Sequence, residues 1–201
     1  MDQYEAGKTL GRLPHKKGKE LKNKTYTGGT IFIDHACQYD FVTHQISLNA
    51  GETIRAKHAF EQVGLSFGVK VKQHLTDNTP FSSESFLKDI QVQNQNIKFS
   101  GVGAHHQNGV AKRSIETVMQ LTHAMMCHAT IMWPDQENLE LWLFAMHHAV
   151  YIYNNVPKPN HKRSPVELLS KSFQIDYNHL HRLHVFGCPC CVLDPKLQDG
   201  F

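Results

Sequence analysis

Between residues 29 and 100 the apolar residues switch repeatedly between a strand-like period of two and a helical period, and few folds accommodate that order. GTIFID (29–34) and YDFVTHQIS (39–47) are rich in β-formers. The polar turn His35-Ala36-Cys37-Gln38 separates them, which predicts an antiparallel hairpin. Residues 51–67 then place Ile54, Ala59, Phe60, Val63 and Phe67 on one helical stripe, with Gly68 positioned to end the helix. VKVKQHL (69–75) alternates as a strand does and stops at Thr76-Asp77-Asn78. A second helix is expected over 83–94, a short strand over 96–100 and a glycine-rich loop over 101–109. A long helix over 109–128 turns Val110, Ile115, Val118, Leu121 and Met125 inward, and another over 137–154 is broken by Pro157 and Pro159. With a first strand near Asp2, this order predicts an α/β fold in which helices cover both faces of a mixed sheet.

The chain has 201 residues and a formal net charge of +3, a weak basic excess that permits a nucleic-acid partner without requiring one. No apolar run reaches the roughly 18 residues of a membrane span. MDQYEAGK lacks the apolar stretch of a signal peptide, so an intracellular setting is expected, with no membrane partner. The odd number of cysteines, five, agrees with reduced thiols. Fifteen histidines are scattered without His-x3-His spacing, and no Cys-x2-Cys pair accompanies them, which counts against a zinc-dependent hydrolase. Cys188, Cys190 and Cys191 read as small buried thiols at the end of a strand over 185–193, with a metal role as the alternative.

Residues 6–27 read as a loop carrying the one clear charge cluster: Lys8, Arg12, Lys16, Lys17, Lys19, Lys22 and Lys24, opposed only by Glu20. Either this is a solvated loop, or Lys16, Lys17, Lys19, Lys22 and Lys24 contact nucleic-acid phosphates. A second phosphate-binding candidate is the start of the long helix. There Gly109 lets backbone approach an anion, Asn108 is either a cap or a ligand, and Arg113 adds charge. Near the end of the chain, Ser164-Pro165-Val166-Glu167 has the form of a capped helix start.

Asp77 closes a strand, where sheet ligands commonly bind and where turn-forming Asp is also common. HLTDN (74–78) followed by AHHQNGVAKRSIETV (104–118) resembles the integrase catalytic core of copia-type retrotransposons. IFIDHACQYDFV, LWLFAMHHAVYIYNNVP, SPVELL and VFGCPCCVLDPKLQDG resemble further parts of that family, so the likeness runs over most of the chain. It implies an RNase H-like fold with a mixed five-stranded sheet flanked by helices. Residues 1–157 would be the core, truncated at its first strand, and 158–201 a tail beyond it. It further implies DNA as partner, possible homo-oligomers, a nuclear location where activity is retained, and Mg2+ or Mn2+ held by two Asp and one Glu. Two such ions bridged by carboxylates stabilise the attacking and leaving oxygens of phosphoryl transfer.

In this resemblance Asp2 and Asp77 match the two Asp, as catalytic and metal-binding residues, while Asp34 belongs to the hairpin turn. After Asn78 the chain reads Thr79-Pro80-Phe81, where the family carries a glycine and then an acidic residue. The family Glu position, 35 residues after Asp77, holds Lys112. A cation cannot ligate Mg2+, so the expectation is a catalytically impaired integrase core. The alternatives are an active polynucleotidyl transferase using Glu116 as third ligand and a non-catalytic DNA- or protein-binding remnant.

Overall fold

The computed structural model describes residues 1–11, 24–77, 81–101, 108–136, 138–159, 162–173 and 177–190. Strand β1 (Asp2–Gly11) pairs antiparallel with β2 (Lys24–Ile33), and β2 pairs antiparallel with β3 (Asp40–Gln45). Helix α1 (Ala50–Ser66), strand β4 (Gln73–Thr76), helix α2 (Glu84–Val92) and strand β5 (Asn96–Phe99) follow. β4 and β5 are parallel. The long helix α3 (Gly109–Met132), then α4 (Trp142–Asn155), α5 (Pro165–Ser170) and α6 (Asn178–His181) complete the described elements. No described helix is long and apolar enough to cross a membrane.

Alternation along the strands explains the layering. Tyr4, Ile31, Ile33 and Val42 point to one face and pack against Ala111 and Val118 of α3 and Met146, Ala149 and Val150 of α4. Met1 and Phe32 point to the other face, against Ala56 of α1 and Phe86 and Ile90 of α2. Phe32 stacks on Phe60 with ring centroids 5.0 Å apart. Both faces are thus covered, as the mixed helix–strand order requires.

The predicted hairpin is present as β2 and β3. Asp34 builds its turn by accepting from the Ala36 and Cys37 amides at 3.1 and 2.8 Å. The capping box at Ser164 is also present, with the Ser164 amide donating to Glu167 at 2.8 Å.

Several expectations are corrected. The single five-stranded sheet is instead a three-stranded sheet and a two-stranded one. Between the two sheets the Met1 amine donates to the Leu75 carbonyl at 2.8 Å, and no ladder joins β1 to β4 among the described residues. The loop expected over 6–27 is largely hairpin: β1 runs to Gly11 and β2 begins at Lys24, with an irregularity between Glu5 and Thr9 where Gly7 and Lys8 adopt positive φ. Residues 12–23 lie outside the described residues. The strand expected over 69–75 starts later, because Val69 still closes α1 by donating to Gly64 at 2.8 Å. The buried stripe of α1 is Thr53, Ala56, Lys57 and Gly64, and that of α3 is Ala111, Ser114, Val118 and Thr122. Val118 is buried as expected, and Val110, Ile115, Leu121 and Met125 of α3 and Ile54 and Phe60 of α1 pack partly buried against the core, whereas Ala59 is exposed. α4 begins at Trp142 rather than 137, after 3-10 turns over Pro134–Gln136 and Leu139–Leu141. Residues 185–190 form a turn rather than a strand, with Gly187 at φ +82°, and Cys190 is exposed rather than buried; residues 191–201 lie outside the described residues.

Two buried polar clusters fasten the helices. Lys57, with no exposed surface, bonds Glu61 at 2.8 Å, Asp89 of α2 at 2.9 Å and Gln95 at 3.0 Å. Asp40 is likewise fully buried at the start of β3. Its carboxylate accepts from the Ser114 hydroxyl of α3. Its backbone exchanges bonds with the Asn154 side chain of α4 at 2.9 and 2.7 Å.

Burial raises Asp40 to about 7, against the lowering effects of Ser114 and the Lys158 charge. In the unfolded chain an Asp titrates near ~4. Between those two pH values the folded protein holds a proton that the unfolded chain has lost. Stability should therefore fall with rising pH across that window, by up to about 1.4 kcal/mol per unit, and this contribution should level off above it. Asp40→Asn, which can still accept from Ser114, should remove the slope; urea unfolding at a series of pH values measures it.

Candidate functional site

Three chain segments converge at the end of the sheets. Asp2 opens β1 and points to the face opposite Met1, because neighbouring strand residues alternate. Its Oδ1 accepts from the Gln3 amide at 2.9 Å. Asp77 directly follows β4, and Ser100 directly follows β5. The parallel pairing of Thr76 with Phe99 brings these two ends side by side. The Ser100 amide donates to the Thr76 carbonyl at 2.9 Å, and its hydroxyl donates to Asp77 Oδ1 at 2.9 Å.

Lys112 lies in the first turn of α3, and its Nζ is 3.5 Å from Asp77 Oδ2. The Lys112 side chain is 41% exposed and that of Asp77 26%. Solvent screens such a pair, so its contribution to stability is about 0–1 kcal/mol. Its effect on what the site can bind is larger, since it sets a positive charge against the carboxylate.

Asp2 shares this environment. Burial raises its pKa; the Gln3 bond, the Lys112 ammonium and the Met1 amine oppose the rise, and the Asp77 charge adds to it. Asp2, Asp77 and Lys112, the three positions that the resemblance singled out, therefore lie in one environment.

Among the neighbouring residues Asn108 departs from the expected cap. Asn108 is 1% exposed, makes no side-chain cap, and donates to the Met1 carbonyl at 3.3 Å. It locks the start of α3 to β1 instead of presenting an amide to a phosphate. Gly109 is the first residue of α3, with nothing within 4 Å of where a Cβ would stand. Arg113 is exposed, and its Nε donates to the Gly109 carbonyl at 3.3 Å. Glu116 is exposed and accepts from Gln120 at 3.3 Å. Lys16, Lys17, Lys19 and Lys22 lie outside the described residues, and Lys24 is described only as the first residue of β2. Ser100 and Met1 are site residues that sequence reasoning missed. The only signal for Ser100 was its place after a strand, mirroring Asp77.

A two-metal centre needs several oxygen ligands around its ions. Among the described residues no group of three or more His, Cys, Asp or Glu is gathered closely enough to hold a metal ion. With an ammonium 3.5 Å from Asp77, the residues present do not fit a divalent cation held as a family Asp-Asp-Glu set would hold it.

No protein-family model matches the chain, and no curated protein matches it in sequence. Solved structures do match. The HTLV-2 integrase catalytic core domain in complex with magnesium, in its trimeric form, is similar with a TM-score of 0.53 and 16% identity, over 83% of this chain and 93% of that one. Its dimeric form gives a TM-score of 0.51 and 15% identity, over 84% and 92%. A chain of the simian T-cell lymphotropic virus intasome in complex with PP2A regulatory subunit B56 gamma gives a TM-score of 0.58 and 15% identity. That match covers 96% of this chain but only 57% of the intasome chain. The chain therefore has the α/β fold of retroviral integrase catalytic cores. At these identities the likeness is one of fold, and it does not reach the narrower copia-type assignment.

Because Lys112 lowers the Asp2 pKa, Lys112→Ala should move the Asp2 titration to higher pH. Carboxyl-carbon NMR of the two proteins reads this directly, and an unchanged midpoint would separate Asp2 from the Lys112 environment.

Proposed function

We propose that this protein is an integrase-type core of copia lineage that binds DNA and is impaired in phosphoryl transfer. The observation that carries the reading is the Lys112–Asp77 ion pair, 3.5 Å long, at the strand end where the fold's chemistry is expected. The ammonium stands beside one of the two Asp77 carboxylate oxygens. At such distances like charges repel by several kcal/mol in a medium of intermediate dielectric, so Mg2+ binding is weakened. The fold neighbours include an integrase core in complex with magnesium, which supports a divalent metal for the ancestral activity. They also include dimeric and trimeric forms and an intasome, which supports DNA and further copies of the chain as partners. The location follows from the substrate: a DNA-binding role places the protein in the nucleus.

Glu116 does not favour the active alternative, since it is exposed and bonded to Gln120. The non-catalytic remnant differs from our reading only in how much activity survives.

Nicking and joining of labelled duplex ends in Mn2+ should give no product with the unaltered protein. Lys112→Glu should raise Mg2+ affinity by calorimetry. Activity in the unaltered chain, lost in Asp77→Asn, would reject the impaired-site reading.

DNA binding rests on the basic segment and Arg113. Affinity for duplex DNA should fall steeply with salt, and every phosphate deprived of its lysine should flatten the logarithmic slope by about 0.9. Replacing Lys16, Lys17, Lys19, Lys22 and Lys24 together should therefore reduce the slope. An unchanged slope would leave these residues as a solvated segment.

A further inference from the structure

His123 and Cys127 stand one turn apart on α3, both exposed to solvent. Residues at this spacing share a helix face, and their side chains lean toward the helix N-terminus, so Cys127 reaches back over His123. The Cys127 Sγ lies 3.5 Å from His123 Nε2. The inner face of the same stretch is anchored. Val118 and Thr122 are buried, Leu121 and Met125 pack against the core, and the Thr122 hydroxyl donates to the Val118 carbonyl at 2.7 Å. The sulfur and the nitrogen are therefore carried by a rigid element rather than by a loop.

That separation has a chemical meaning. Zn2+ takes thiolate at about 2.3 Å and imidazole at about 2.0–2.1 Å, and a tetrahedral angle between two such bonds sets sulfur and nitrogen about 3.5 Å apart. The pair already has the length of one edge of a zinc tetrahedron. Its donor atoms also choose the ion, since thiolate and imidazole suit Zn2+ whereas Mg2+ takes oxygen. The Lys112 ammonium belongs to a residue eleven positions earlier on α3, roughly 16 Å along the helix axis, so it does not stand against a cation here. Glu116 is two turns before His123 and accepts from Gln120. A mixed His-x3-Cys spacing escapes a search for paired His or paired Cys.

We propose that His123 and Cys127 form a two-ligand surface site for Zn2+ or another thiophilic divalent cation, with water in the remaining positions. Binding breaks the Cys127 S–H bond. The proton leaves to the buffer, and a sulfur electron pair forms the bond to the metal. His123 binds through neutral Nε2, and no electron is transferred. The exposure of both side chains leaves room for the waters. With two protein ligands where a closed structural site has four, affinity falls in the micromolar class. The site is separate from the Lys112–Asp77 pair, and the inference does not rest on the proposed DNA-binding function.

The test uses the 201-residue chain carrying Cys188→Ser, Cys190→Ser and Cys191→Ser, because those thiols offer rival sulfur. Co2+ is the probe. It should produce a thiolate-to-cobalt charge-transfer band in the near ultraviolet, and added Zn2+ should remove that band. Cys127→Ser should abolish the band. His123→Ala should weaken Co2+ binding by more than the ~10–100-fold that loss of an outer-shell partner costs. Both positions are exposed, and circular dichroism checks that each variant folds. Calorimetry of Zn2+ in buffers of different ionisation enthalpy should show about one proton released for each ion bound. A band that never forms, a band that survives Cys127→Ser, or an affinity unchanged by His123→Ala would each overturn the proposal and leave the contact as a thiol–imidazole hydrogen bond.

Discussion

Met1 is where the parts of this molecule are joined. Its amine bonds β4, its carbonyl accepts from Asn108 at the start of α3, and its side chain enters the core beneath α1 and α2. Because strand side chains alternate, burying Met1 on one face obliges Asp2 to face the other. The same few atoms that connect the two sheets thus aim Asp2 toward α3. The placement of Lys112 depends on them in turn, since Asn108 fixes the first turn from which Lys112 projects. The site is a consequence of how β1 is seated.

The chemistry at that site turns on charge sign rather than on shape. The backbone brings the start of β1, the ends of β4 and β5 and the start of α3 together. Ser100 orients one oxygen of Asp77 and Lys112 engages the other.

Much of this was legible in the sequence where contacts are local or spacing is tight. The β2–β3 hairpin followed from two β-rich runs and an Asp turn, and the Ser164 cap from four residues. Asp77 and Lys112 followed from their separation and a family likeness. What could not be read depends on distant partners. β1 carries Glu5, Gly7, Lys8 and Thr9 exposed, so composition imitates a loop although the backbone pairs across the hairpin. The stripe of α3 was read in part, with Val118 buried and its expected neighbours packed against the core, but the small and polar residues that sit innermost were not: Ala111 and Ser114 let α3 approach the sheet, and Ser114 satisfies Asp40. Asn108 looked like a surface cap because nothing local reveals Met1 beside it.

Lys57 shows how such a partnership limits drift in the sequence. Its ammonium is sealed between Glu61 and Asp89, so the three charges form one unit linking α1 to α2. Loss of one member alone strands an ion in the interior, at a cost of about 3–5 kcal/mol, whereas replacing the whole set with apolar residues of similar volume can be nearly neutral. The intermediate steps are the obstacle. An exposed residue such as Glu116 can change freely, whereas altering Lys57 disturbs the whole set. Among diverged copies of this chain, these three positions should change together or remain as they are.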